Sequence, residues 1–129
     1  MVDYLRSNCW DAWNDMVWID IEGADYWTGD YDANRSWYES LIAACDGLWG
    51  ARCGVYSSYY QWEAIFGSTD YSWGSSSVTP QLWYAHYDEW ASFGDFNSFG
   101  GWSQPWGKQY IGDASVCGMG VDVDFIPSQ

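Results

Sequence analysis

The chain is short of positive charge. Arg6, Arg35, Arg52 and Lys108 are its fixed cations, set against eighteen aspartates and glutamates, for a formal net charge of −14. Nucleic-acid binding needs a basic footprint, and an anionic membrane surface selects for one too, so neither partner is expected. Long apolar runs are also missing: no stretch has the roughly 20 apolar residues of a membrane span. The first residues, Met1-Val2-Asp3-Tyr4-Leu5-Arg6, contain no apolar segment of a secretory leader. Histidine is limited to His86. With no second histidine and no Cys/His pattern beside it, a structural hydrogen bond suits it better than a metal. No Ser/His/Asp set and no glycine-rich phosphate loop occurs, so neither a cofactor nor a metal is expected.

Aromatic side chains are abundant. Twelve tryptophans and eleven tyrosines stand among 129 residues, of which 48% are hydrophobic and 17% charged. The length suits one domain with a substantial core. Some rings fill that core; others are candidates to line a sugar groove, because flat pyranose faces stack on aromatic faces. Four cysteines, Cys9, Cys45, Cys53 and Cys117, allow three ways of forming two disulfides in an oxidising compartment, or four reduced thiols in the cytosol.

The most telling stretch is Val17-Trp18-Ile19-Asp20-Ile21-Glu22-Gly23. It reads as a buried strand ending in two carboxylates. Side chains at i and i+2 share a face of a strand, so Asp20 and Glu22 project together while Ile19 and Ile21 face the other way. Paired acids beside apolar neighbours are unfavourable, because like charges repel and burial disfavours ionisation. Glycosidases use such pairs as a general acid and its partner. A solvated acid pair at a strand end is the plain structural alternative.

Further along, strand-like segments alternate with helix-like ones, which suggests parallel β/α units with an antiparallel close. Residues 4–15 read as a short helix. Residues 23–33 read as a polar loop, and Asn34 as the N-cap of a helix ended by Gly47 or Gly50. Ser58-Tyr59-Tyr60-Gln61 resembles a capping box opening a short helix closed by Gly67. Residues 53–57, 81–87, 106–111 and 120–125 read as strands, and residues 88–104 as an irregular segment forming part of a groove wall. In the last strand Val121, Val123 and Phe125 alternate with Asp122 and Asp124, giving one apolar and one acidic face.

These motifs carry a family resemblance. Trp18-Ile19-Asp20-Ile21-Glu22 resembles the Asp-x-Glu strand of glycoside hydrolase family 25, the lysozyme-type muramidases. Gly54-Val55-Tyr56-Ser57-Ser58, Leu82-Trp83-Tyr84-Ala85-His86-Tyr87, Lys108-Gln109-Tyr110 and Gly120-Val121-Asp122-Val123-Asp124-Phe125 are similar to its later strands, in the family's order. Phe99-Gly100-Gly101-Trp102-Ser103 resembles the amoeboid and invertebrate branch. The resemblance implies a partial TIM-like β/α barrel, roughly the fourth to eighth strands, with residues 1–129 forming its C-terminal portion. The family's opening Asp-bearing strand and the two after it have no counterpart here.

The activity implied is hydrolysis of the β-1,4 link between N-acetylmuramic acid and N-acetylglucosamine in peptidoglycan or a related polysaccharide. Glu22 would be the general acid. Asp20 would hold the acetamido group or stabilise the oxocarbenium ion, and Asp122 would orient the reacting sugar. Tyr56, Trp83, Tyr84 and Gln109 match positions facing the barrel mouth, with core packing the alternative for each ring. Asp124 stands where the family often has Asn. In a β/α barrel Cys45 and Cys53 both fall at the bottom rim, which favours their pairing. Extracellular or lysosomal/phagosomal placement is expected.

Two other functions fit the sequence. One is a non-catalytic, self-assembling component, because half a barrel leaves open strand edges and residues 54–61 and 92–102 have the Tyr/Phe/Ser/Gly composition of ordered aggregates. The other is a sugar-binding module. Self-association or a missing N-terminal half would complete the sheet.

Overall fold

A computed structural model describes residues 4, 7–8, 16–47, 52–72 and 79–128; the helix expected over residues 4–15 lies mostly outside them. Five strands form one mixed sheet: β1 (Met16–Asp20), β2 (Arg52–Ser57), β3 (Gln81–Ala85), β4 (Gly107–Val116) and β5 (Met119–Phe125). They lie side by side in sequence order. The first four are parallel, and β5 returns antiparallel to β4. Two helices, α1 (Tyr31–Asp46) and α2 (Tyr59–Phe66), fill the first crossover and begin the second. The result is the expected partial β/α barrel.

Register divides the sheet into two chemically different faces. Ile19, Val55 and Leu82 stand side by side, as do Ser57, Tyr84 and Lys108. This face meets the helices. Val55, Leu82 and Tyr84 join Tyr38, Ile42, Trp62, Ile65 and Phe66 in the buried core. On the other face Asp20, Tyr56 and Trp83 are register neighbours, and Gln109 pairs with Asp124. Trp18 lies on this face over Gly54, where a Cβ would fall 2.3 Å from the indole. Only glycine leaves room for that ring.

Helix α1 is capped by Asp30, whose Oδ1 accepts the N–H groups of Asp32 and Ala33. Asn34, expected to be the cap, is instead buried within the first turn. Its Nδ2 donates to the carbonyls of Thr28 and Ile65 at 2.9 and 2.8 Å, which ties the loop before α1 to the end of α2. The Tyr38–Ile42–Cys45 stripe is buried, whereas Trp37 is 65% exposed. Ser58 caps α2 through the N–H of Gln61, and Gly67 closes it in the left-handed region at φ 75°. Cys45 is bonded to Cys53, with Cα atoms 6.1 Å apart, and this fastens the end of α1 to the start of β2.

The long segment between β3 and β4 is irregular, and one buried cation organises it. The Lys108 ammonium is fully buried and bonded to both oxygens of Asp88 and to Asp95 Oδ1, each at 2.8 Å. The carbonyls of Trp90 and Ser92 also accept from it. No helix among the described residues is long and apolar enough to cross a membrane.

Candidate active site

The chain stays extended beyond β1. Ile21 N–H donates to the Tyr56 carbonyl at 2.9 Å, and the Ile21 carbonyl accepts the Ser57 hydroxyl at 2.7 Å. Ile21 is thereby buried on the helix side, and Glu22 follows Asp20 on the open face, as strand alternation requires. Asp122, on β5, acts electrostatically on Glu22. Partial burial raises the Glu22 pKa, and the negative charges of Asp20 and Asp122 raise it further. Partial burial raises that of Asp20 as well. Both groups are exposed at the rim, so solvent screens part of this effect. A carboxyl biased toward its protonated form beside two other carboxylates has the properties of a general acid.

A hydrogen-bonded chain holds Asp122. The hydroxyls of Tyr56 and Tyr87 donate to Gln109 Oε1 at 2.6 and 2.8 Å. Gln109 Nε2 then donates to Asp122 Oδ2 at 3.3 Å. The other oxygen of Asp122 accepts the Asp113 N–H at 3.0 Å. Asp113 adopts φ 61° where the β4–β5 register shifts, an irregularity that turns its N–H toward the carboxylate. The Tyr56 hydroxyl is pushed toward its protonated form, first by burial, then by the adjacent Tyr87 hydroxyl and by the charges of Glu22 and Asp20.

Aromatic rings form the floor. Trp83 packs edge-on against Tyr56 at 4.9 Å and against Trp18 at 5.6 Å, and its indole N–H donates to Asp124 Oδ1 at 2.8 Å. Burial raises the Asp124 pKa, the Trp83 bond opposes this, and Asp122 adds to it. Beside Asp20 and Glu22 a hollow of about 530 Å³ opens toward Tyr26, Trp27, Trp37 and Leu41.

The structure thus brings Asp20, Glu22, Asp122, Tyr56, Trp83 and Gln109 to one face. It does not bring Tyr84 there. Tyr84 follows Trp83 in β3, so alternation sends it to the helix side, where it is buried and its hydroxyl donates to Asp95 Oδ1 at 3.0 Å. Of the two alternatives for this ring, core packing is the one observed. Tyr87 and Trp18 were not singled out from the sequence. The signal for Tyr87 was its i+4 spacing from Trp83 along an extended chain. His86 Nδ1 is hydrogen-bonded to Asp95. With Asp88 these form a group of metal-ligand type, but the Lys108 ammonium bonded to both aspartates already provides the positive charge.

A β/α sheet that gathers acids and aromatic rings on one face, toward the rim where the parallel strands β1, β2 and β3 end, has the layout of a barrel hydrolase. Comparison with known proteins agrees: the family model described as lysozyme-like protein 1 matches residues 1–110, and the chain belongs to this lysozyme-like family, glycoside hydrolase family 25. It is 45% identical over 127 residues to probable GH family 25 lysozyme 2 of Dictyostelium discoideum, across 98% of this chain and 56% of that protein. It is 39% identical to counting factor 45-1 of the same organism, across 88% of this chain and 36% of that one. Lysozyme-like protein 5 of Caenorhabditis elegans is 37% identical, across 86% and 49%. The chain spans about half the length of the first of these relatives. No solved structure matches.

Proposed function

We propose that this chain carries the acid-bearing wall of a lysozyme-like glycosidase acting on the β-1,4 N-acetylmuramic acid–N-acetylglucosamine links of peptidoglycan. The observation that carries the reading is Glu22 lying within electrostatic reach of both Asp20 and Asp122, on a face where Tyr56 and Gln109 lock Asp122 in place. Glu22 donates its proton to the leaving oxygen. Asp20 holds the acetamido group or stabilises the oxocarbenium ion, and Asp122 orients the sugar. Tyr56, Trp83 and Gln109 contact that sugar. We place the protein in an extracellular or lysosomal/phagosomal compartment, where the Cys45–Cys53 disulfide persists. The test is clearing of bacterial cell walls by Glu22→Gln, which keeps the shape and removes the proton. A drop of about 10²–10⁴-fold is expected, and wild-type rates from the variant overturn the assignment.

A second reading has its own support. Relatives named counting factor rather than lysozyme match this chain at 39% and 41% identity, and among the described strands β1 and β5 each have a neighbour on one side only. A non-catalytic component that assembles through those edges fits both facts. Wild-type protein that clears no cell walls, yet sediments as an assembly, selects this reading.

A further inference from the structure

Tyr87 carries the outermost hydroxyl of the chain of bonds that ends on Asp122, and three separate features fix where it stands. The first is backbone. His86 N–H donates to the Gln109 carbonyl and Glu89 N–H to the Tyr110 carbonyl, each at 3.0 Å, so the segment continues beside β4 after β3 has ended. The second is the pair of residues that flank it. His86 Nδ1 is bonded to Asp95, and Asp88 accepts from the Lys108 ammonium with both oxygens. Tyr87 therefore stands between two members of the buried Lys108 network. The third is Gly112. Its missing side chain makes the seat of the Tyr87 ring: a Cβ there would fall 3.3–3.5 Å from three atoms of that ring.

The bonds beyond Tyr87 run in one direction. A carboxylate only accepts, so Asp122 requires the NH2 end of Gln109. Gln109 Oε1 is then turned back toward the tyrosines, and its two lone pairs are filled, one by Tyr56 at 2.6 Å and one by Tyr87 at 2.8 Å. Gln109 is 5% exposed, so water is poorly placed to replace a lost donor. Without the Tyr87 hydroxyl, Oε1 keeps the Tyr56 bond, and the amide loses part of what aims its far end at Asp122, where the bond is already long at 3.3 Å. The other Asp122 oxygen stays on the Asp113 N–H, and the carboxylate can turn about that bond.

We propose that Tyr87 is a positioning residue: seated by Gly112 and by the Lys108 network, it acts through Gln109 to fix the rotation of the Asp122 carboxylate. The proposal rests on the glycosidase reading above and deepens it. It also ties the buried ion pair on the helix side of the sheet to the acids on the other side. Lys108 and Gln109 are successive residues of β4, and Asp88 and Tyr87 are successive residues beside it.

The test places Asp122→Asn in three backgrounds: wild type, Tyr87→Phe and Gly112→Ala. Tyr87→Phe removes the hydroxyl and keeps the ring, whereas Gly112→Ala keeps the hydroxyl and displaces the ring. Tyr87 is 58% exposed, so neither change opens the core. The first readout is the pair of Gln109 side-chain NH2 signals in heteronuclear NMR, assigned by their loss in Gln109→Glu. These signals report the bond to Asp122 with no substrate present. In the wild-type background Asp122→Asn should shift them, because a charged acceptor is replaced by a neutral one. In Tyr87→Phe and in Gly112→Ala the same replacement should shift them less. The second readout is clearing of bacterial cell walls. Tyr87→Phe should slow it about three- to tenfold, the weight of one hydrogen bond, and should cost little more in the Asp122→Asn background, because both changes act on one unit. A full-size NMR response in either background overturns the proposal. So does a Tyr87→Phe penalty that is undiminished in Asp122→Asn. Wild type that clears no walls, with the NMR coupling present, counts against the glycosidase reading and leaves the Tyr87–Gln109–Asp122 linkage standing.

Discussion

Glu22 works, in this reading, by holding its proton to a higher pH than an isolated glutamate does. Burial and the charges of Asp20 and Asp122 raise its pKa. A general acid acts in its protonated form, so activity should fall as pH rises through that raised value. In Asp122→Asn one of the opposing charges is gone, the Glu22 pKa drops, and the alkaline limb of the pH–rate profile should move to lower pH. A limb that stays in place would show that another group sets it. Asp95 runs the opposite way. Burial alone would raise the Asp95 pKa, but hydrogen bonds from Lys108, His86 and Tyr84 outweigh it and hold it at about 2. The folded value lies below the unfolded one, about 3.9. Asp95 therefore contributes stability above that unfolded value and loses it as pH falls toward 2. Urea unfolding between pH 2 and 5 should show this slope, and Asp95→Asn should flatten it. Lys108→Met leaves two neighbouring carboxylates without their cation and should cost about 3–5 kcal/mol, the range for breaking a buried ion pair. A urea midpoint equal to wild type would contradict that.

Among the elements, the strands were the most legible from sequence. The alternation in Trp18-Ile19-Asp20-Ile21-Glu22 describes β1 and its extension, because one face must be buried under helices and the other must not. Ser58 and Gly67 likewise marked the ends of α2, since cap chemistry is local. Asn34 shows where local reasoning ends. Asp30 and Asn34 are both good caps by type, and the choice was made by Ile65, thirty-one residues away, whose carbonyl claims the Asn34 amide. The two positions should therefore respond differently. Asp30→Ala removes an exposed cap and should cost about 1 kcal/mol. Asn34→Ala strands buried polar partners, each worth about 1–3 kcal/mol, and should cost more; thermal unfolding of the two variants gives the order. Tyr84 is the same lesson in β3. Its neighbour Trp83 lies on the open face, so a one-residue step decides between sugar and core. The Lys108 network was not legible, because its partners, Asp88 to Asp95, lie in a segment with no period, and only the folded path of that segment brings them to β4.

At the scale of the molecule, among the described residues, the sheet is covered by helices on one face and lined by acids and half-buried rings on the other. Its outer strands, β1 and β5, each have one strand neighbour among the described residues. Helix α1 buries Tyr38, Ile42 and Cys45 but leaves Trp37 exposed next to the hollow beside Glu22. Tyr26 is 94% exposed at the same side. Open strand edges and uncovered rings are what pairing between chains removes from water. The charge of −14 opposes association, but at physiological salt that repulsion is screened within about 8 Å. Edge pairing and ring burial act at contact and are not screened in this way. The chain should therefore self-associate at micromolar concentration, and more strongly as salt is raised. Sedimentation velocity across a salt series is the check. A single monomeric species at every ionic strength, melting cooperatively, would show that the open face and the two edges are stable in water. Tightening with salt also separates the two driving forces. Association held together by opposite charges would weaken along the same series, whereas association through apolar rings and strand edges strengthens as the acidic surfaces cease to repel.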